Sequence, residues 1–70
     1  MLPPDFAESL ARVVDPRDHD AVAEVIEAAT RLDDDGLRIF LDRFAARLRS
    51  SARPVTHDEL VSFLRAARAT

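Results

Sequence analysis

The segment Arg53–Ala67, RPVTHDELVSFLRAA, contains the clearest helix start in the chain. Thr56 is a favourable N-cap residue, and Glu59, three residues later, completes a capping box. Pro54 precedes the cap and keeps the entering backbone extended. Apolar residues then recur at helical spacing, so the segment predicts an amphipathic helix over about residues 57–69.

The same pattern occurs once before in the chain. When the sequence is shifted by 38 residues on itself, Pro16 aligns with Pro54, and Phe6 aligns with Phe44. Apolar positions after Pro16 align as well, namely Val22 with Leu60, Val25 with Phe63 and Ile26 with Leu64. We interpret this echo as two copies of a helix–turn–helix unit.

The periodicity of the whole chain indicates an all-α fold. No segment alternates between apolar and polar residues over the length of a strand, and the only glycine, Gly36, follows an acidic turn. We expect one domain over residues 1–70, built as two pseudo-repeated helix–turn–helix hairpins, with Asp18 as the N-cap of the second helix. The predicted helices cover about residues 4–14, 19–32, 34–50 and 57–69. The inward stripe of the third helix is predicted to contain Leu37, Phe40, Leu41, Phe44 and Leu48.

Seventy residues suffice for one small domain with a single core. The chain contains no cysteine, which excludes disulfides and thiolate metal sites. Its N-terminal residues lack the basic flank and apolar run of a signal peptide, and no apolar stretch approaches the roughly 20 residues that a membrane span needs. We therefore expect a soluble cytoplasmic protein that does not associate with a membrane.

The charged residues are distributed unevenly along the chain. Residues 1–35 contain ten acidic residues and three arginines, a formal charge of −7, whereas residues 36–70 contain seven arginines and three acidic residues, a charge of +4. All ten basic residues are arginine, and alanine is abundant, as is typical of a GC-rich bacterial coding sequence. The charge asymmetry favours recognition of a charged partner surface.

The segment VTHDELVSFL resembles part of a tandem EF-hand, with Val55 at the central apolar position of the loop and Glu59 as its closing acid. Calcium needs six to eight oxygen ligands. The positions that supply them in that family hold Leu48, Ser50 and Ala52. Arg53 replaces the loop glycine, and Ala21 replaces the closing acid of the first copy. The resemblance therefore implies a calcium-free variant of that architecture.

The acidic turn before the third helix, DDDGL, resembles the attachment site of acyl carrier proteins. Gly36 stands closest to the place of the modifiable serine, so a working carrier protein is excluded. The acidic residues suit the cap and first turn of a helix, where the macrodipole favours negative charge.

Two His–Asp pairs, His19–Asp20 and His57–Asp58, occupy equivalent positions in the two copies. Two imidazoles and two carboxylates could hold a zinc ion if the copies brought them together. Aspartate is also common in a first helical turn for electrostatic reasons alone. We expect no metal and no other cofactor. The serines have no persuasive histidine partner in sequence, and a helical bundle of this size offers little cleft, so we expect no enzymatic activity.

Arginines on and after the third helix could instead form a footprint for nucleic acid. They are Arg38, Arg43, Arg47, Arg49 and Arg53. The low pI of about 5.2 and the missing lysines make nucleic acid an unlikely partner, because phosphate would be repelled from much of the surface. A small DNA- or RNA-associated regulator is therefore the alternative to the function that we favour.

The favoured function is that of a non-enzymatic protein–protein interaction module, such as an adaptor, a docking domain or a small regulator. Ile39 lies about 160–200° from the core stripe on a helical wheel, beside Arg43 and Arg47, so we expect it on an outer, partner-binding surface. A complementary acidic surface is expected from Glu24, Glu27, Asp34 and Asp35. The partner would be another protein with an acidic helix, or another copy bound head to tail or as a dimer.

Overall fold

The computed structural model describes residues 4–69 and contains four α-helices. These helices are α1, Phe6–Val13; α2, Val22–Thr30; α3, Asp34–Ser50; and α4, His57–Arg68. A short 3-10 helix, Pro16–Ala21, connects α1 to α2, and no strand forms within the described residues. The prediction of an all-α, four-helix fold is confirmed.

The two longer helices begin at N-caps that the sequence signals. The Asp33 carboxylate accepts a hydrogen bond from the backbone N–H of Gly36 at 2.7 Å, at the start of α3. The Thr56 hydroxyl accepts one from the backbone N–H of Glu59 at 3.3 Å, at the start of α4. Each cap satisfies an N–H that has no partner inside its own helix.

The start of α2 differs from the prediction. Asp18 does not cap α2, which begins only at Val22. Asp15 caps the preceding 3-10 helix instead, and Asp18 lies inside that helix. The Asp18 carboxylate accepts a hydrogen bond at 3.0 Å from the backbone N–H of His57, in the first turn of α4. The Asp18 side chain, which the local sequence predicts as the N-cap of α2, therefore forms a tertiary hydrogen bond with α4 instead.

The connections after α1 and α3 meet in a single parallel β-bridge between Val14 and Val55. The Val55 N–H donates to the Val13 carbonyl, and the Asp15 N–H donates to the Val55 carbonyl, each at 2.8 Å. A 38-residue repeat would place Arg17, not Val14, at the position equivalent to Val55. The pseudo-repeat of two hairpins is therefore not confirmed.

The core is organised around Phe40 in α3, whose side chain is fully buried. Its ring contacts those of Phe6, Phe44 and Phe63, with centroid separations of 5.9, 6.4 and 6.5 Å. Phe6 also meets Phe44 edge to face at 5.6 Å. These distances lie in the range favoured by aromatic pairs. The four phenylalanines thus join α1, α3 and α4.

The antiparallel pair α3–α4 is held at both ends. At one end Gly36 is buried, and a Cβ on it would lie 3.2 Å from the carbonyl oxygen of Ala67. The missing side chain therefore permits a close approach of the two backbones. At the other end Arg47 of α3 forms an ion pair with Glu59 of α4. The loop that joins the two helices, residues 51–56, lies at this second end.

Candidate functional site

Leu48 does not lie in the core, although it belongs to the predicted inward stripe of α3. Its exposed fraction is 39%, and it is the one large apolar side chain that is exposed in residues 4–69. Phe44 and Phe40, one and two turns earlier on the same stripe, are buried. Leu48 lies in the last turn of α3, beside the end of α1 and the start of the 3-10 helix, where the lining leaves an open groove instead of a closed core.

Leu48 lines an open groove of about 700 Å³. One wall is the end of α1 and the start of the 3-10 helix, and the other is the end of α3 and the loop after it. Its apolar lining consists of Ala11, Val13, Val14, Pro16, Leu48, Ala52 and Pro54. We call this feature the Leu48 groove. The Val14–Val55 bridge lies beside it and ties its two walls together.

The charged lining of the Leu48 groove is entirely basic. Arg12, His19 and Arg53 line it, all three are exposed, and no carboxylate belongs to the lining within the described residues. Arg12 also forms an ion pair with Glu8 at 3.1 Å, with both side chains more than 70% exposed. An ion pair this exposed is worth little, so Arg12 remains available to another anion.

Arg47 supports the loop wall of the groove. Its guanidinium donates to the carbonyls of Ser51, Arg53 and Pro54 at 3.2–3.3 Å, and it forms an ion pair with Glu59. The Arg47 side chain is only 15% exposed. One side chain therefore satisfies three loop carbonyls and fixes the loop against the start of α4.

The pKa of Glu59 lies below its ordinary value of 4.5, chiefly because Arg47 donates hydrogen bonds to the carboxylate. A carboxylate whose pKa is lowered by folding stabilises the fold above its unfolded-state pKa. That contribution is lost as the pH falls through the lower, folded-state pKa. We expect Glu59→Gln to reduce the melting temperature at neutral pH.

The deficit of Glu59→Gln relative to the wild type should shrink as the pH falls well below 4.5. Thermal unfolding across an acid pH series measures this change. Glu24→Gln, at an exposed glutamate, controls for the loss of one carboxylate. A deficit that stays constant down to the acid limit would show that the Arg47 contact does not depend on the charge of Glu59.

Two of the predicted partner-binding residues, Ile39 and Arg47, are less exposed than an outer surface of α3 requires. Ile39 is half-buried and packs against the core, so the prediction that it projects from the outer side of α3 is wrong. The reason is that α2 and α4 both contact α3, which widens its buried face beyond one stripe. Arg47, its predicted neighbour in the interface, bonds within its own chain.

The other predicted partner-binding side chains are exposed. They are Arg43, Glu24, Glu27, Asp34 and Asp35. Glu27 forms an exposed ion pair with Arg31 at 2.9 Å. Asp34 and Asp35 lie in the first turn of α3, at the opposite end of that helix from Leu48. Their role in binding a partner stays a prediction.

The two His–Asp pairs do not converge. His19 lines the Leu48 groove, whereas His57 lines a separate polar cavity of about 290 Å³ together with Asp15, Asp18 and Asp58. No group of three or more His, Cys, Asp or Glu side chains in residues 4–69 is placed to hold a metal ion. No helix in this part of the chain is long and apolar enough to cross a membrane.

Leu48 is the residue that sequence reasoning missed, because its position on the apolar stripe indicated burial. Helical periodicity alone carries no signal that this position, in the last turn of α3, faces an open groove. Known proteins supply no further guide to the groove. Comparison of the chain with family models, with curated proteins and with solved structures gives no match.

Proposed function

We propose that this protein is a non-enzymatic protein–protein interaction module, such as an adaptor, a docking domain or a small regulator, and that it binds its partner through the Leu48 groove. The observation that carries the proposal is the exposure of Leu48 in a concave, largely apolar surface. Exposed apolar surface of this kind, rimmed by charged side chains, is typical of interaction sites.

The construction of the groove supports binding without large rearrangement. Arg47 holds one wall through three loop carbonyls, and the Val14–Val55 bridge joins that wall to the end of α1. A preformed surface loses little conformational entropy when a partner binds, so more of the contact energy contributes to affinity. Covering Leu48 adds a hydrophobic gain at the centre of that surface.

We expect Leu48→Gln to weaken partner binding by at least about tenfold, because an amide would replace the apolar anchor at the centre of the interface. The change keeps the net charge and a good helix former, so the helical circular dichroism spectrum should be retained. The partner is isolated by affinity purification with the wild-type chain as bait, and its affinity for each variant is then measured in solution.

Ala46→Gln is the matched control, because Ala46 is exposed on the same helix and lies outside the groove. It should bind the partner as the wild type does. Equal affinity of Leu48→Gln and the wild type would contradict the proposal. So would salt-sensitive binding of random duplex DNA in place of any protein partner, since that result favours the nucleic-acid alternative.

A further inference from the structure

We infer that the occupant of the Leu48 groove is an amphipathic helix of a different protein, which inserts an aliphatic side chain beside Leu48 and flanks it with glutamate or aspartate. The inference rests on the proposed function and names the chemistry of the partner. Three observations carry it: the backbone groups of the loop wall already have partners, the charged lining is basic, and residues 4–69 of a second copy offer no matching anchor.

The backbone of the loop wall offers little to an added β-strand. The carbonyls of Ser51, Arg53 and Pro54 accept hydrogen bonds from Arg47, and the Arg53 N–H donates to the Ser51 hydroxyl. Val55 uses both its N–H and its carbonyl in the bridge. Strand addition depends on free main-chain groups, whereas a helix in a groove docks through side chains. The geometry therefore favours a helix.

The basic residues that line the groove favour acidic side chains on either side of the aliphatic anchor of that helix. Arg12, His19 and Arg53 surround the apolar lining, and no carboxylate of the described residues lines the groove. Acidic side chains beside the aliphatic anchor would meet the guanidinium groups of Arg12 and Arg53, whereas lysine or arginine there would meet like charge. These basic residues thus discriminate between acidic and basic partner helices, which the apolar lining alone would not do.

A second copy of the chain is a poor occupant. Leu48 is the one exposed large apolar side chain of residues 4–69, so the acidic surface on α2 and the first turn of α3 presents no aliphatic anchor. A symmetric contact between two Leu48 side chains would bring the basic rims of both grooves together. Like charges across such an interface are unfavourable. A partner of different sequence avoids both difficulties.

Two synthetic helical peptides test the inference. They share the same leucine anchors at i, i+4 and i+7, and differ only in whether glutamate or lysine flanks the anchors. We expect the glutamate peptide to bind the intact protein at least about tenfold more tightly than the lysine peptide by fluorescence anisotropy. Arg12→Glu with Arg53→Glu should reverse this preference.

Arg38→Glu with Arg65→Glu is the matched control, because it makes the same charge change at exposed positions outside the groove. It should keep the preference for the glutamate peptide, and circular dichroism should show that both double variants are folded. Equal binding of the two peptides, binding of neither, or equal effects of the two double variants would overturn the inference. The effect of Leu48→Gln on binding of the natural partner is measured separately. If the peptides show no preference for glutamate, the inference about the acidic helix is wrong, but the proposed function is not contradicted.

Discussion

Replacing Phe40 with alanine should lower the free energy of unfolding by about 3–5 kcal/mol. The side chain is fully buried, and its ring contacts three other phenylalanines contributed by α1, α3 and α4. Truncation would leave a cavity at the point where these helices meet, which the surrounding rings cannot fill without losing their own contacts. A loss of that size removes much of the stability of a domain this small.

Thermal unfolding followed by circular dichroism measures the effect of Phe40→Ala, and the melting temperature should fall by at least about 12 °C. Phe63→Ala is the comparison variant, because Phe63 is a half-buried ring at the edge of the same cluster. It should be less destabilising than Phe40→Ala. If both variants melted at the same temperature, Phe40 would not be the centre of the core.

Arg47→Met should lower the free energy of unfolding by about 2 kcal/mol. Methionine keeps an unbranched side chain with good helix propensity but lacks the guanidinium. Three loop carbonyls would lose their donor, and Glu59 would lose its ion-pair partner. Water can replace part of this contribution, because the Glu59 side chain is 33% exposed.

The loss at Arg47 should also loosen the wall of the Leu48 groove. Amide hydrogen exchange in residues 51–55 should therefore accelerate in Arg47→Met beyond what its lower global stability explains. Arg49→Met, at an exposed arginine two residues later, is the matched control and should leave both stability and loop exchange close to the wild type. If Arg49→Met had the same effects as Arg47→Met, the loop contacts of Arg47 would not be the cause.

The parts of the fold that could be predicted depend on local sequence. Asp33 and Thr56 each cap a helix by accepting from an N–H three residues later, so the local sequence alone indicates both caps. The start of α2 was missed because Asp18 bonds to His57, which is 39 residues away in the chain. A carboxylate can accept a hydrogen bond from any backbone N–H that the tertiary structure brings close to it. The local sequence pattern does not indicate which N–H that will be.

The candidate site was less predictable than the fold. Ile39 and Leu48 are both aliphatic residues of α3, and helical periodicity assigned the first to the surface and the second to the core. Their observed exposure differs from that assignment: Ile39 is half-buried and packs on the core, whereas Leu48 lies in the last turn of α3 and faces an open groove. The loop contacts of Arg47 could not be predicted either, because helical periodicity does not indicate that an arginine on the flank of α3 donates hydrogen bonds to the loop that follows.

Hydrogen exchange of the protein, measured alone and in complex with the partner that co-purifies with it, tests the interaction surface most directly. If the Leu48 groove is that surface, exchange should slow in residues 11–16 and 48–54, which contain most of its lining, and stay unchanged on the outer face of α2. Slower exchange on α2 and the first turn of α3, with no change in the two groove walls, would contradict the proposal.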